Sequence, residues 1–167
     1  MPVPSRRWAV ILLTLLNTLP GLSPCRAEGP APCPFAGIYP TVVDLNIDTV
    51  RALRDEGVSA VYGDARYHNT LVSAGLPHAG TLIVSGADTG LPEIIKGARS
   101  INQGVHIFVR SGYLRDVPPL RQAGAEQVFS GEGEVAMAMT EAVLRRLGAT
   151  PDQIDRERDR VRQELIT

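Results

Sequence analysis

Four short hydrophobic runs in this chain are each followed by a residue that can carry charge or hydrogen-bond, namely Asp44, Asp64, Ser85 and Arg110. A short carboxylate at the end of such a run can accept hydrogen bonds from both hydroxyls of a ribose, which makes Asp44 the first candidate for a nucleotide contact. Asp44 can equally brace a turn toward Asn46, and the sequence leaves both readings open. Other chemistry finds little support. His68, His78 and His106 show no H-x-x-x-H or H-E-x-x-H spacing, and Cys25 and Cys33 lack the C-x-x-C spacing of a metal or redox site. No residue is assigned a catalytic or metal-binding role.

The elements that position these four residues can be read from punctuation. Thr41 to Asp44 is a β-rich run, after which Asp48 is placed to cap a helix through Val50 and Leu53 that Gly57 ends. Ala60 to Asp64 repeats the pattern, with a helix around Leu71 to Ala74 closed by Gly75. Thr81 to Val84 leads to a helix around Pro92 to Ser100, and Val105 to Val109 to one from about Asp116 to Ala123. Gln127 to Phe129 begins a last strand before a long helix ending at Leu147. Strands alternating with helices predict an α/β fold with a Rossmann-like, doubly wound parallel sheet. Ligands of such sheets bind outside the carboxyl ends of the strands, which is where Asp44, Asp64, Ser85 and Arg110 fall.

A chain of 167 residues suits one domain with a real core. Its formal net charge of −1 gives no electrostatic footprint for nucleic acid. Eight of the thirteen prolines lie in the first forty residues, so residues 1–38 read as a separate proline-rich leader. Within it Arg6 and Arg7 precede an apolar run from Trp8 to Leu16, then Pro20, Gly21 and a small-residue site ending at Ala27, the order of a secretory signal. That run is too short to span a bilayer as a helix. The alternatives are an exported protein or a disordered leader on a domain whose ligand lies in the cytoplasm.

The runs Thr41-Val-Val-Asp-Leu-Asn, Val61-Tyr-Gly-Asp-Ala65 and Leu82-Ile-Val-Ser85 resemble the RCK N-terminal (TrkA-N) family, across roughly two thirds of the chain. Glu132 and Glu134 before Ala136 to Leu147, and then Gly148-Ala-Thr-Pro, look most like the cytoplasmic domain of bacterial potassium-efflux cation/proton antiporters. The resemblance implies a domain, here residues 39–149, that binds NAD(H), ATP or AMP and reports the binding state to a membrane potassium channel or cation/proton antiporter. It implies a sensor rather than an enzyme, at the inner face of the membrane. Carried over by position, Asp44 would hold the ribose, Asp64 and Ala65 would border the adenine, and Ser85 would lie beside the phosphates or ribose.

The family begins with a strand, a G-x-G-x-x-G turn and a helix, and this chain has no such turn before Asp44. Those glycines admit the pyrophosphate to the helix N-terminus, so nucleotide affinity is expected to fall without them. The sheet, truncated at its N-terminal side, is also expected to lose its central strand and expose an unpaired edge. Gly131-Glu-Gly-Glu-Val-Ala136 is a formal substitute, but Glu132 and Glu134 place carboxylates where phosphates must sit; otherwise it is a helix start with acids at the positive dipole end. A truncated or frameshifted gene would account for the break.

Val135 to Leu147 carries apolar residues on more than one helical side, with Met137 and Met139 as adaptable packing groups, so a homodimer through this helix competes with packing on the parent sheet. Residues 150–167 read as a charged, solvated helix with Ile154, Val161 and Leu165 on one face and Asp152 and Arg156 spaced to pair. Two further readings stay open: a fragment of an NAD-dependent oxidoreductase, which would need a substrate domain and proton donor, and an exported α/β protein with no nucleotide.

Overall fold

Each hydrophobic run that precedes a polar residue is a strand in the computed structural model, which describes residues 11–15, 39–85 and 90–164. The strands are β1 (Ile11–Leu15), β2 (Tyr39–Asp44), β3 (Ser59–Tyr62), β4 (Thr81–Val84), β5 (His106–Ser111) and β6 (Gln127–Ser130). The α-helices are α1 (Ile47–Asp55), α2 (His68–Ser73), α3 (Leu91–Ile101), α4 (Val117–Gln122), α5 (Gly131–Arg146) and α6 (Pro151–Glu164), with single 3-10 turns at Leu76–His78 and Leu114–Asp116.

The sheet runs β3-β2-β1-β4-β5-β6, the order of a doubly wound dinucleotide fold. The pairs β2–β3, β4–β5 and β5–β6 are parallel, as the alternation of strands and helices requires. The expected unpaired edge does not exist. Ile11–Leu15, from the segment read as a leader, occupies the central position and pairs with both β2 and β4. It does so antiparallel: Ile11 faces Val43 and Val84, and Leu15 faces Tyr39 at the other end. This five-residue run satisfies two rows of backbone groups that would otherwise be orphaned, which is the physical reason a strand forms there. The rest of the signal-like segment, including Trp8, Arg6, Arg7 and the site at Ala27, lies outside the described residues.

Both faces of the sheet are covered. Leu82 and Val84 of β4 and Ile107 and Val109 of β5 are fully buried under α2, α3 and α4 together with Leu71, Ile95 and Leu120. Successive residues of β2 go to opposite faces: Val43 joins this main cluster, whereas Val42 packs with Val50 of α1 and Ala60 of β3. A strand buried on both sides needs an uninterrupted apolar run, and Val42-Val43 supplies it.

The last two helices lie differently. Only Gly133 of α5 is buried, and α6 packs on it by way of Ile154, itself 6% exposed. Thus α6 is not simply solvated. Glu141 of α5 accepts hydrogen bonds from Arg145 and from Arg158 of α6. The ion pairs within α6 join Asp155 with Arg158 and Glu157 with Arg160, in place of the expected Asp152 and Arg156 pair. Leu165 lies outside the described residues.

Candidate functional site

The carboxyl ends of β2, β4 and β5 and the amino end of β1 bring a single row of residues to one edge of the sheet. Asp44 pairs with Tyr62 in the β2–β3 ladder, and Arg110 with Phe129 in the β5–β6 ladder. Ser85, the residue after β4, lies beside Arg110, whose guanidinium donates to the Ser85 carbonyl at 3.3 Å. Asp44 and Ser85 are each one residue beyond the partners of Ile11, so the amino end of β1 separates them. Two strand spacings place them about 10 Å apart.

Asp44 is buried to 6% exposure, unusual for a carboxylate. Its Oδ1 accepts the Asn46 amide at 2.7 Å, so the turn-bracing reading of this residue describes one of its two oxygens. Its backbone carbonyl accepts the Gly63 amide at 3.0 Å and ties the loop after β3 to the end of β2. Among the described residues Oδ2 has no hydrogen-bond partner, which leaves one acceptor of this carboxylate unused. The helix that follows is capped by Asn46, not by Asp48: Asn46 Oδ1 accepts the Asp48 and Thr49 amides at 2.9 and 3.5 Å. The cap moves two residues earlier because the turn braced by Asp44 already puts Asn46 in extended backbone, φ −95°, ψ 111°.

Asp64 is engaged by Arg66, a residue not among those singled out above. Its Oδ1 accepts the Arg66 amide at 2.9 Å, while Arg66 Nε and Nη2 lie 2.9 and 2.5 Å from Oδ2. This fork, chiefly the side-chain hydrogen bond from Arg66, holds the Asp64 carboxyl below the ordinary aspartate range. The stem of Arg66 lies against Gly90, where a Cβ would come within 2.7 Å of Arg66 Cδ. Gly90 is left-handed, φ +79°, at the start of α3. Arg66 therefore straps the β3 loop to the helix after β4. The Asp64-x-Arg66 spacing was the available signal for it. Ala65 sits with its side chain in the main core cluster, 4% exposed. Asp44, Ser85 and Arg110 thus share one row, whereas Asp64 is turned to Arg66 and Ala65 inward.

The Gly131-Glu-Gly-Glu-Val-Ala136 segment does follow a strand and open a helix. Ser130 Oγ accepts the Gly133 amide at 2.9 Å, the Glu132 amide is bound to the Gly112 carbonyl at 3.3 Å, and the Glu132 carboxylate accepts the Leu114 amide at 3.0 Å. Those groups are already in use, so the segment is a capped helix start. His106 pairs with Glu126 at 2.6 Å on the surface, and no group of three or more His, Cys, Asp or Glu among the described residues could hold a metal ion.

A family model for the TrkA-N domain matches residues 37–131, more than half of the chain. The chain belongs to the TrkA-N domain family. The Putative cation/proton antiporter YbaL of Escherichia coli (strain K12) is 35% identical over 103 residues, 60% of this chain and 18% of that protein. The crystal structure of the TrkA-N domain of the same inner membrane protein superposes with a TM-score of 0.60 at 34% identity, covering 63% of this chain and 78% of that one. The Putative K(+) efflux antiporter KefB of Alkalimonas amylolytica is 30% identical over 112 residues, 66% of this chain and 16% of that protein. The GsuK channel, in a structure bound to NAD, superposes with a TM-score of 0.51 at 26% identity, covering 58% of this chain and 18% of that one. The chain spans less than a fifth of the length of the two antiporters it matches. No described helix is long and apolar enough to cross a membrane.

Proposed function

We propose that this TrkA-N chain is a regulatory module that binds an adenine nucleotide or NAD(H) and conveys its bound state to a membrane potassium channel or cation/proton antiporter. The observation that carries the reading is Asp44. It is a buried carboxylate at the carboxyl end of β2, one oxygen braced on the Asn46 amide and the other without a partner among the described residues, on the edge where sheets of this order bind nucleotides. That GsuK is bound to NAD in one structure and to ADP in another supports the ligand class. The names of YbaL and KefB support the partner class. In this reading the module acts at the inner face of the membrane.

Ser85 and Arg110 belong to this site as the row beside Asp44 beyond β1, and Asp64 and Ala65 as the loop that borders the base. The module acts as a pair of copies through α5, where Val135, Met139 and Val143 recur every four residues and are each more than half exposed. Leaving an apolar stripe of this length exposed to water is unfavourable, and covering it with a second copy removes that cost. Calorimetric titration of the chain with AMP, ADP, ATP, NAD and NADH tests the ligand. Saturable binding weakened by Asp44→Ala supports the site, and a folded chain that binds none of them rules it out.

A further inference from the structure

A cavity of about 350 Å³ lies between α4, β6, α5 and α6, and the nucleotide reading makes no use of it. β6 ends the sheet four strand spacings from β2, about 19 Å away, so this cavity is separate from the edge at Asp44. Val117 of α4, Val128 of β6 and Met137 of α5 give it an apolar wall. Set among them is Arg121 of α4, whose Nε is buried with no hydrogen-bond partner among the described residues. A buried guanidinium N–H left unmatched is costly, and folded proteins keep few such groups unless something else supplies the acceptor. We infer that this cavity binds a small organic monocarboxylate with an apolar body, held through Arg121.

The remaining charges of the lining decide the ligand class. Glu126 is engaged by His106 at 2.6 Å. Glu134 of α5 and Arg162 of α6, both exposed, are opposite in sign and offset each other. Arg121 is the charge left over, so the cavity calls for one negative charge and not two. The planar guanidinium fork matches a carboxylate in two parallel hydrogen bonds, whereas a phosphate dianion would bring surplus charge close to Glu126 and Glu134. Small-molecule sites of this volume are mainly apolar with a few polar groups that fix orientation, which is the make-up of this lining. A ligand seated here touches α4, β6, α5 and α6 together, so it would also fix how the last two helices lie on the sheet.

Titration of the full chain with hexanoate and 3-phenylpropionate, and with the uncharged amide of each, tests this by following the methyl resonances of Val117, Val128 and Met137. The expected result is saturable binding of an acid at least tenfold tighter than its amide. In Arg121→Met, which keeps an unbranched stem in the wall, that preference should disappear, while in Asp44→Ala it should stay. Without ligand, Arg121→Met should unfold at a urea concentration no lower than the parent's, because it removes a buried donor that lacks an acceptor. Acids that bind no better than their amides, or a preference that survives Arg121→Met, overturn the inference. So does a folded chain that binds neither acid, or an Arg121→Met variant that unfolds earlier than the parent, which would make Arg121 a structural residue. None of these outcomes bears on nucleotide binding at Asp44.

Discussion

Asp44 and Ser85 stand on either side of the amino end of one antiparallel strand, each one residue past the partner of Ile11. In a wholly parallel sheet the same two residues would flank the end of a strand that turns into a phosphate-binding helix. The family, the strand order and the acid at the end of β2 are all present, while the direction of the strand between them is reversed.

Asp44→Asn keeps an oxygen for the Asn46 amide but removes the negative charge. Hydrogen bonds to a charged group contribute about 1.5–3 kcal/mol, so nucleotide affinity should fall roughly tenfold to a hundredfold. The melting temperature should move little, since the turn stays braced. Equal affinity of parent and Asp44→Asn in calorimetric titration would place the ribose elsewhere.

Arg66 governs the titration of Asp64. Because the fork lowers the folded-state pKa of Asp64, its stabilising contribution is present at pH above the ordinary aspartate range and is lost as pH falls through the lowered value. In Arg66→Ala the carboxyl midpoint followed by NMR should rise toward that of an unpaired aspartate. A midpoint that stays put would mean that the fork does not persist in solution.

Gly90→Ala addresses the other end of the same strap. A left-handed φ of +79° costs an L-residue about 1–2 kcal/mol, and the new methyl would meet the Arg66 stem. The expected outcome in chemical denaturation is a loss of about that size, accompanied by a rise in the Asp64 midpoint. Loss of stability with an unmoved midpoint would separate Gly90 from Arg66.

Leu13→Pro tests whether β1 belongs to the sheet. Leu13 pairs with Thr41 on one side and Leu82 on the other, and proline would remove its N–H from the middle of the ladder. Each buried acceptor orphaned costs about 1–3 kcal/mol, so the urea midpoint should drop clearly. An unchanged midpoint would show that the sheet closes without this strand.

Val143→Arg challenges the exposed face of α5. In a twofold pair every substitution is met twice, and burying a valine contributes about 1.5–3 kcal/mol per side chain. Sedimentation should show the parent as a dimer and the variant as a monomer with unchanged helicity. A parent that is monomeric at high micromolar concentration would remove α5 as a pairing surface.

From the sequence alone, the alternation of apolar runs with glycine-closed amphipathic segments determined an α/β sheet, its parallel pairs and the edge on which Asp44, Ser85 and Arg110 gather. These are local signals: Val42 and Val43 must both be buried, and a strand buried on both faces leaves its first polar residue at its end. The acids of Glu132 and Glu134 likewise identified a helix start, because a helix dipole acts within its own first turn. The tertiary structure decided the rest. An apolar run such as Ile11–Leu15 carries no mark of its direction or partner, and the signal-like residues around it pointed to export; only the open ladders of β2 and β4 give it a place, and they accept either direction. The Asp64–Arg66 fork depends on a loop folded back against Gly90. The burial of Ile154 depends on the angle at which α6 returns to α5, which the spacing of its charges does not encode.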